Sequence, residues 1–238
     1  MSTEYFLQSP RLDYYRFPEN EQDAVKRTDR ALMSVADHIC KFRYALQLYD
    51  MCFHALAQRL PVEEHSKMTA WKFIAGRDGS MQLYHVGKAL GYVDSARKRS
   101  QTLASHMDLP EYKLADKLFT SSFPGHENVR HAVGHAAEFS DRMDEHIAKG
   151  SPSNRVPGVE LEDDATIMIP EGFEGKKYFS TVDGRAVSYD LSNESLAKLE
   201  SVHQHLCKGF APVEAAIREI KGPRMGPDAE KLKQRERP

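Results

Sequence analysis

The sequence predicts a mainly α-helical bundle of four to five helices, with a small antiparallel β-hairpin or three-strand insert before the last helix. Apolar residues recur every three or four positions over long stretches, which is the period of a helix with one buried face. Between residues 150 and 191 this period gives way to turn residues and short strand-like runs. No run of about 18 apolar residues occurs, so we expect no membrane span.

The first helix is predicted to begin near Pro18 and Asn20 and to end before Pro61. A single segment of this kind is more often one member of an antiparallel bundle than an isolated coiled coil. Its expected buried stripe is Leu32, Val35, Ile39, Phe42, Leu46, Tyr49, Phe53, Leu56 and Leu60.

A second helical stretch is predicted from about Ser66 to Lys98. Trp71 and Ile74 belong to its apolar stripe, and we expect Trp71 to lie in the core. Gly76 and Gly79 are expected to break or kink the helix, since each glycine costs about 1 kcal/mol in a helix interior.

Two further helices are predicted, at about 110–121 and from Pro124-Gly125 to His146. Residues 150–163 are predicted to form a loop, and 165–169, 176–182 and 185–190 to form strands, with a tight turn at Asp183-Gly184. A last helix follows Ser192, its expected cap, and is expected to kink at Pro212. The predicted organisation is an N-terminal extension (1–19), a bundle core (20–149), an insert (150–191), a C-terminal bundle helix (192–221) and a disordered, basic tail (222–238).

Composition narrows the classes of partner. The chain has 33 Lys and Arg against 35 Asp and Glu, so no overall charge attracts it to nucleic acid or to a membrane, and any such contact must come from a local patch. Cys40, Cys52 and Cys207 have no paired-ligand spacing, and we expect a reducing, cytoplasmic compartment. No motif predicts a cofactor.

The densest group of reactive side chains lies between His126 and His146. On a continuous helix, one polar stripe would comprise His131, His135, Glu138, Arg142 and His146. Three interpretations compete. The histidines can be structural residues at the core boundary, or His131 and His135, four apart, can bind one metal ion, although the cationic Arg130 beside them opposes this. The third interpretation is an RNA-cleaving site.

The third interpretation rests on a resemblance. The run from Arg130 to His135, Arg-His-Ala-Val-Gly-His, resembles the signature of the HEPN superfamily, an Arg, a polar residue and a terminal His after a short spacer. The resemblance implies a helical bundle, often dimeric, acting as a metal-independent ribonuclease or as an inactive binding relative. It assigns Arg130 to the scissile phosphate, His135 to proton transfer and His131 to the accessory polar position. An RNA substrate and a homodimer are thereby expected, and an antitoxin-like partner cannot be identified from one chain.

Other polar residues interrupt predicted core stripes. Arg77, Asp78 and His85 do so on the second helix, and His203 does so on the last. Because buried ionisable groups must be paired, we expect them to form an internal network. That network either fixes helix register or supports Arg130 and His135 from an adjacent helix, and the pattern predicts one shared polar centre. The alternative function is a non-catalytic helical interaction or scaffold protein whose histidines are structural.

Overall fold

The computed structural model of the protein describes residues 7–128, 148–149, 166–167, 169–182 and 185–219. Within these ranges the chain is mainly α-helical, and a small antiparallel sheet precedes the last helix, which confirms the predicted fold class. A 3₁₀ turn at Tyr14–Arg16 precedes the α-helices. These are α1 (Glu19–Leu56), α2 (Val62–Arg97), α3 (Gln101–His106), α4 (Leu109–Ser122) and α5 (Asn193–Glu219).

Five short strands form two sheets in the described residues. β1 (Ala148–Lys149) pairs with β2 (Thr166–Ile167), and a three-stranded antiparallel sheet has the order β3 (Gly172–Glu174), β4 (Lys177–Val182), β5 (Arg185–Asp190). The third strand of this sheet is therefore β3, and the predicted strand at 165–169 contributes only β2, to the other sheet. Val182 pairs with Arg185, as the predicted two-residue connection requires. Asp183 and Gly184 themselves lie outside the described residues.

The buried stripe of α1 matches the prediction over most of its length. Leu32, Val35, Ile39, Phe42, Leu46 and Tyr49 are buried. The prediction is wrong at the C-terminal end, because Phe53 is exposed and Leu56 and Leu60 are half-buried. The helix ends at Leu56, ahead of Pro61.

The helix α2 is continuous through Gly76 and Gly79, so the predicted break is wrong. Both glycines are buried, and their role is close packing. A Cβ atom built at Gly76 would lie 2.8 Å from Phe173 Cζ, and one at Gly79 would lie 3.0 Å from Leu191 Cδ1. The packing of this helix against the sheet side chains thus compensates for the helix-forming tendency that glycine lacks.

The shorter helices have clear start signals. Ser100 caps α3, a helix that the sequence did not predict, and its hydroxyl accepts a hydrogen bond from the Leu103 N–H at 3.1 Å. The helix α4 agrees with the segment predicted at 110–121. Ser192 caps α5 as predicted, accepting from the Ser195 N–H at 3.2 Å, and α5 runs through Pro212 to Glu219.

The chain divides into two compact units. Unit 1 comprises Met1–Asp37, Lys88–Leu118 and Ser201–Pro238, and unit 2 comprises His38–Gly87 and Phe119–Glu200. The sheet β3–β5 belongs to unit 2, where Tyr178, Phe179, Val187 and Tyr189 are buried. Among the described helices, none is both long enough and apolar enough to cross a bilayer.

The predicted fourth helix is described only at its start. Residues 126–128 are helical, and the rest of that prediction lies outside the described residues. The predicted loop at 150–163 and the predicted tail at 222–238 also lie outside them.

Candidate functional site

The three residues of the RNA-cleavage prediction, Arg130, His131 and His135, lie outside the described residues. The structure does describe how the chain approaches them. Gly125 has a φ of +77°, a left-handed conformation that favours glycine, and the Asn128 N–H donates to the Gly125 carbonyl at 2.9 Å. The turn at Pro124-Gly125 thus begins the helical residues that lead into the motif.

His126 anchors this approach on α2. Its ring meets Phe119 edge to face, with centroids 4.9 Å apart. A Cβ built at Gly87 would lie 2.7 Å from His126 Cδ2, so the imidazole occupies the space that a side chain at Gly87 would fill. The segment that carries the motif therefore starts against α2, at Gly87.

Arg77 holds the sheet region against α2. Its guanidinium donates two hydrogen bonds to the Glu171 carboxylate, Nε at 2.8 Å and Nη2 at 2.5 Å, and the Tyr178 hydroxyl donates to the same carboxylate at 3.3 Å. The hydrogen bond to Glu171 raises the pKa of Arg77, which is a cation at any ordinary pH. Burial raises the pKa of Tyr178, so its phenol stays neutral. The described contacts of Arg77 are therefore structural, since they attach the residues before β3 to α2.

Asp78 and His85 belong to a chain of polar contacts between α1 and α2. Gln82 donates from Nε2 to Asp78 Oδ1 at 2.7 Å, and its Oε1 lies 2.7 Å from His38 Nδ1. The His38 ring in turn stacks on the His85 ring, with centroids 4.6 Å apart and planes at 16°.

The hydrogen bonds determine the tautomer of His38. Because an amide oxygen only accepts, Nδ1 of His38 carries the proton that it donates to Gln82. In the neutral ring, Nε2 is then the basic nitrogen. The chain from Asp78 through Gln82 thus orients one imidazole by its Nδ1–H, beside a second imidazole at His85.

His38 and Gln82 were missed by the sequence prediction. Each lies next to a core stripe, His38 beside Ile39 and Gln82 beside Leu83, where a polar residue is usually a boundary residue. The sequence offered one signal for this contact, since Asp78 and Gln82 are four residues apart and share one helix face. It could not identify His38 as the partner on α1, because that depends on how the two helices pair.

His203 lies in unit 1, in a contact with the N-terminal segment. It is only 5% exposed, and its Nε2 lies 3.0 Å from the Ser9 hydroxyl. Ser9 donates its own proton to the Leu32 carbonyl at 3.0 Å, so Nε2 of His203 is the donor to Ser9. The thiol of Cys207 lies 3.6 Å from the same ring and donates to the Gln8 carbonyl at 3.5 Å.

This arrangement does not activate a nucleophile. The Ser9 proton is committed to a backbone carbonyl, and burial lowers the pKa of His203 and raises the pKa of Cys207. A neutral imidazole and a protonated thiol form no thiolate–imidazolium pair. The cluster instead binds residues 8 and 9 to α5.

The described residues of the predicted polar centre therefore have different partners. Asp78 and His85 share one polar chain, Arg77 pairs with Glu171, and His203 belongs to the other unit. In the described part of the chain, no group of three or more His, Cys, Asp or Glu residues is arranged to hold a metal ion. The metal pair predicted at His131 and His135 lies outside that part.

The fold defines the class of this protein as a helical protein with a three-stranded sheet inserted before its last helix. No family model matches the chain, and neither the curated proteins nor the solved structures contain a match.

Proposed function

We propose that the chain is a HEPN-like ribonuclease that cleaves RNA without a metal ion, using Arg130 and His135. The observation that carries the proposal is the Arg-polar-x3-His spacing of Arg130, His131 and His135, which begins two residues after the helical residues 126–128 of a mainly helical chain. The three cysteines are free thiols, which fits a protein that acts in the cytoplasm.

The chemistry follows from the two side chains. Arg130 would bind two oxygens of the scissile phosphate, since a planar guanidinium is always charged and binds bidentately. His135 would accept the proton of the ribose 2′-hydroxyl as that oxygen attacks the adjacent phosphorus. The P–O2′ bond forms as the P–O5′ bond breaks, and a protonated group returns a proton to the departing 5′ oxygen. The products are a 2′,3′-cyclic phosphate and a free 5′-hydroxyl.

The start of the motif segment is packed against α2. The imidazole of His126 occupies the space beside Gly87 and meets the Phe119 ring edge to face. His85 and Gly87 are two residues apart and therefore lie on nearly opposite faces of α2. The imidazoles of His85 and His38 are accordingly given no part in the proposed cleavage step.

The test is RNA cleavage by the purified chain in the presence of a chelator. We expect the wild type to produce fragments with cyclic phosphate ends, and Arg130→Ala and His135→Ala to lose at least about a hundredfold in rate, as general acid–base groups typically contribute that much. Arg59→Ala is the control, since Arg59 is an exposed cation outside the motif segment and its loss should leave the rate unchanged. Equal rates for all four proteins would reject the assignment, because the activity would then belong to a contaminant.

A second candidate is a non-catalytic interaction protein, which includes an inactive RNA-binding relative. The pairing of Arg77 with Glu171 and of His203 with Ser9 favours it, because these polar residues are used within the fold. RNA that is bound but not cleaved, with binding weakened by Arg130→Ala, would identify the inactive relative. An absence of both cleavage and binding would favour the interaction protein.

A further inference from the structure

The first half of α2 exposes a face on which two apolar side chains lie between two charged ones. Lys67, Trp71, Ile74 and Asp78 are spaced by four, three and four residues, so they lie along one face of the helix. All four are exposed, with 43% of Trp71 and 49% of Ile74 accessible, and no residue of α2 before Ala75 is buried. We call these four residues the α2 stripe. The structure corrects the sequence prediction here, since Trp71 does not lie in the core.

An exposed Trp–Ile pair calls for a physical explanation. Large apolar side chains that lie next to each other on a surface typically mark an interaction site, and Trp is among the residues most enriched at the centres of protein interfaces. The core positions of α2 in unit 2, among them Ala75, Leu83 and Val86, are on other faces and are already buried. The α2 stripe is therefore a second apolar face of the same helix.

The order of charges along the stripe identifies its partner. Along the helix the stripe runs from a cation (Lys67) through an aromatic and an aliphatic residue to an anion (Asp78). When a second α2 lies antiparallel beside the first, the cation meets the anion and the aromatic residue meets the aliphatic one. In an antiparallel pair of α2 helices with a two-fold axis passing between Lys72 and Phe73, Trp71 faces Ile74 of the partner subunit, and Lys67 faces Asp78 of the partner subunit. A two-fold interface requires this self-complementarity, in which residue i contacts j and j contacts i. The spacing of three and four residues is also that of helices packed side by side.

We propose that the α2 stripe binds a second copy of this chain in an antiparallel, two-fold helix pair. The two Trp71–Ile74 contacts form its apolar centre, and two Lys67–Asp78 ion pairs flank that centre. The next layer on either side would pair Glu64 with Met81 of the partner subunit. A homodimer is what the HEPN resemblance leads us to expect, and the proposal names its surface. It rests on the proposed function in that respect, but it is measured without RNA.

Existing contacts leave these side chains able to form the pairs. Lys67 has an ion pair with Glu63 on its own helix, at 3.0 Å with both side chains more than half exposed, and such pairs exchange readily in water. Asp78 uses Oδ1 to accept from Gln82, which leaves Oδ2 for a cation. A standard stable interface buries about 800 Å² per partner, more than four residues provide, so we expect a weak dimer with a dissociation constant on the order of micromolar.

The experiment measures the mass of the full chain by sedimentation across a concentration series. We expect a monomer–dimer equilibrium for the wild type. Trp71→Glu and Lys67→Glu should each raise the dissociation constant at least about tenfold, the second because the introduced carboxylate would face Asp78 of the partner subunit. The double variant Lys67→Glu with Asp78→Lys should restore the wild-type value, since the two charges are exchanged and complementarity returns.

Tyr44→Glu is the matched control, because Tyr44 is an exposed aromatic residue on α1, with 55% of its surface accessible. This variant should dimerise as the wild type does. Circular dichroism of each variant verifies that it is folded, which is expected because every substituted residue is exposed. Arg130→Ala should also dimerise normally, so a failure of the cleavage assay and a failure of the dimer are distinguishable.

Three results would overturn the proposal. One is a wild-type chain that remains monomeric throughout the series. Another is a dimer that Trp71→Glu leaves intact or that the charge exchange does not restore. The third is a monomer whose affinity for single-stranded RNA falls in Trp71→Glu, which would assign the stripe to base stacking instead.

Discussion

At the scale of single residues, Gly76 shows how one missing side chain allows two elements to pack. The hydroxyl of Tyr189 donates to the Gly76 carbonyl, and the rings of Tyr178 and Phe173 occupy the space above the glycine. Burial raises the pKa of Tyr189 well above its ordinary value, so the phenol remains a donor. The close approach of these aromatic rings requires the absence of a Cβ.

We therefore predict opposite effects for two glycine substitutions in the same helix. Gly76→Ala gains about 1 kcal/mol of helix propensity but forces buried rings apart, which typically costs about 1–3 kcal/mol, so the free energy of unfolding should fall or at best stay level. A Cβ at Gly91 meets nothing within 4 Å, and Gly91→Ala should raise that free energy by about 0.5–1 kcal/mol. Urea denaturation of the two variants and the wild type measures both effects. A stabilised Gly76→Ala would show that the rings do not pack there.

His203 predicts a pH dependence of stability. Burial lowers the pKa of the folded-state imidazole below its ordinary value of 6.5, so the unfolded chain binds a proton more readily than the folded chain. The contribution of His203 to the free energy of unfolding should therefore rise with pH from the lowered pKa up to about 6.5. The same contribution should be lost as the pH falls through that interval. The difference in melting temperature between pH 7.5 and pH 5.5 should be smaller in His203→Gln.

His65→Gln provides the comparison for this measurement. His65 is exposed on α2, so its loss should leave the pH dependence of the wild type in place. If His203→Gln and the wild type lose the same stability on acidification, the buried imidazole does not contribute to the acid sensitivity.

At the scale of elements, the attachment of the sheet to α2 combines apolar and ionic contacts. Tyr178, Phe173 and Tyr189 supply aromatic packing, and Arg77 and Glu171 supply a bidentate ion pair. The side chains of Arg77 and Glu171 are 45% and 24% exposed, so water screens their attraction. Most of the stability of this attachment therefore comes from the rings.

A double-mutant cycle tests this division. We expect Arg77→Ala and Glu171→Ala to be coupled by about 0.5–1 kcal/mol, the upper part of the range for exposed ion pairs, because the geometry is bidentate. The coupling energy should decrease as the salt concentration rises, since salt screens exposed charges. Denaturation of the two single variants and the double variant, each in low and high salt, measures it. A coupling near zero in low salt would show that the ion pair does not hold the sheet.

At the same scale, the sequence predicted the bounds of some elements well but missed α3 and β3 and misplaced some buried faces. The strands β4 and β5 and the helix α4 lie within two residues of their predicted positions. The wrong predictions of faces are the C-terminal end of the α1 stripe, from Phe53 to Leu60, and Trp71, which was expected in the core. Gly76 and Gly79 were also expected to interrupt α2, which is continuous. A period of three to four residues shows that a helix has an apolar face, but it does not show what covers that face, and it does not show that another element needs a glycine there.

At the scale of the whole molecule, the two proposals concern different surfaces and different measurements. The proposed cleavage would require Arg130 and His135, whereas the proposed self-association would require the α2 stripe. An active monomer would support only the cleavage proposal, and an inactive dimer would support only the dimer proposal. An active dimer would support both. The variant Arg130→Ala, tested for mass and for cleavage, separates them in one protein.

The sequence by itself determined the helical class, the insert before the last helix, the cap at Ser192 and the signature from Arg130 to His135, because each depends on residues close together in the chain. The tertiary structure alone decided that Gln82 connects Asp78 to His38, that His203 meets Ser9 and that Trp71 is exposed. These contacts join residues that are far apart in the sequence or depend on which helix face remains uncovered. Local periodicity contains no information about either, since both are set by the packing of distant elements.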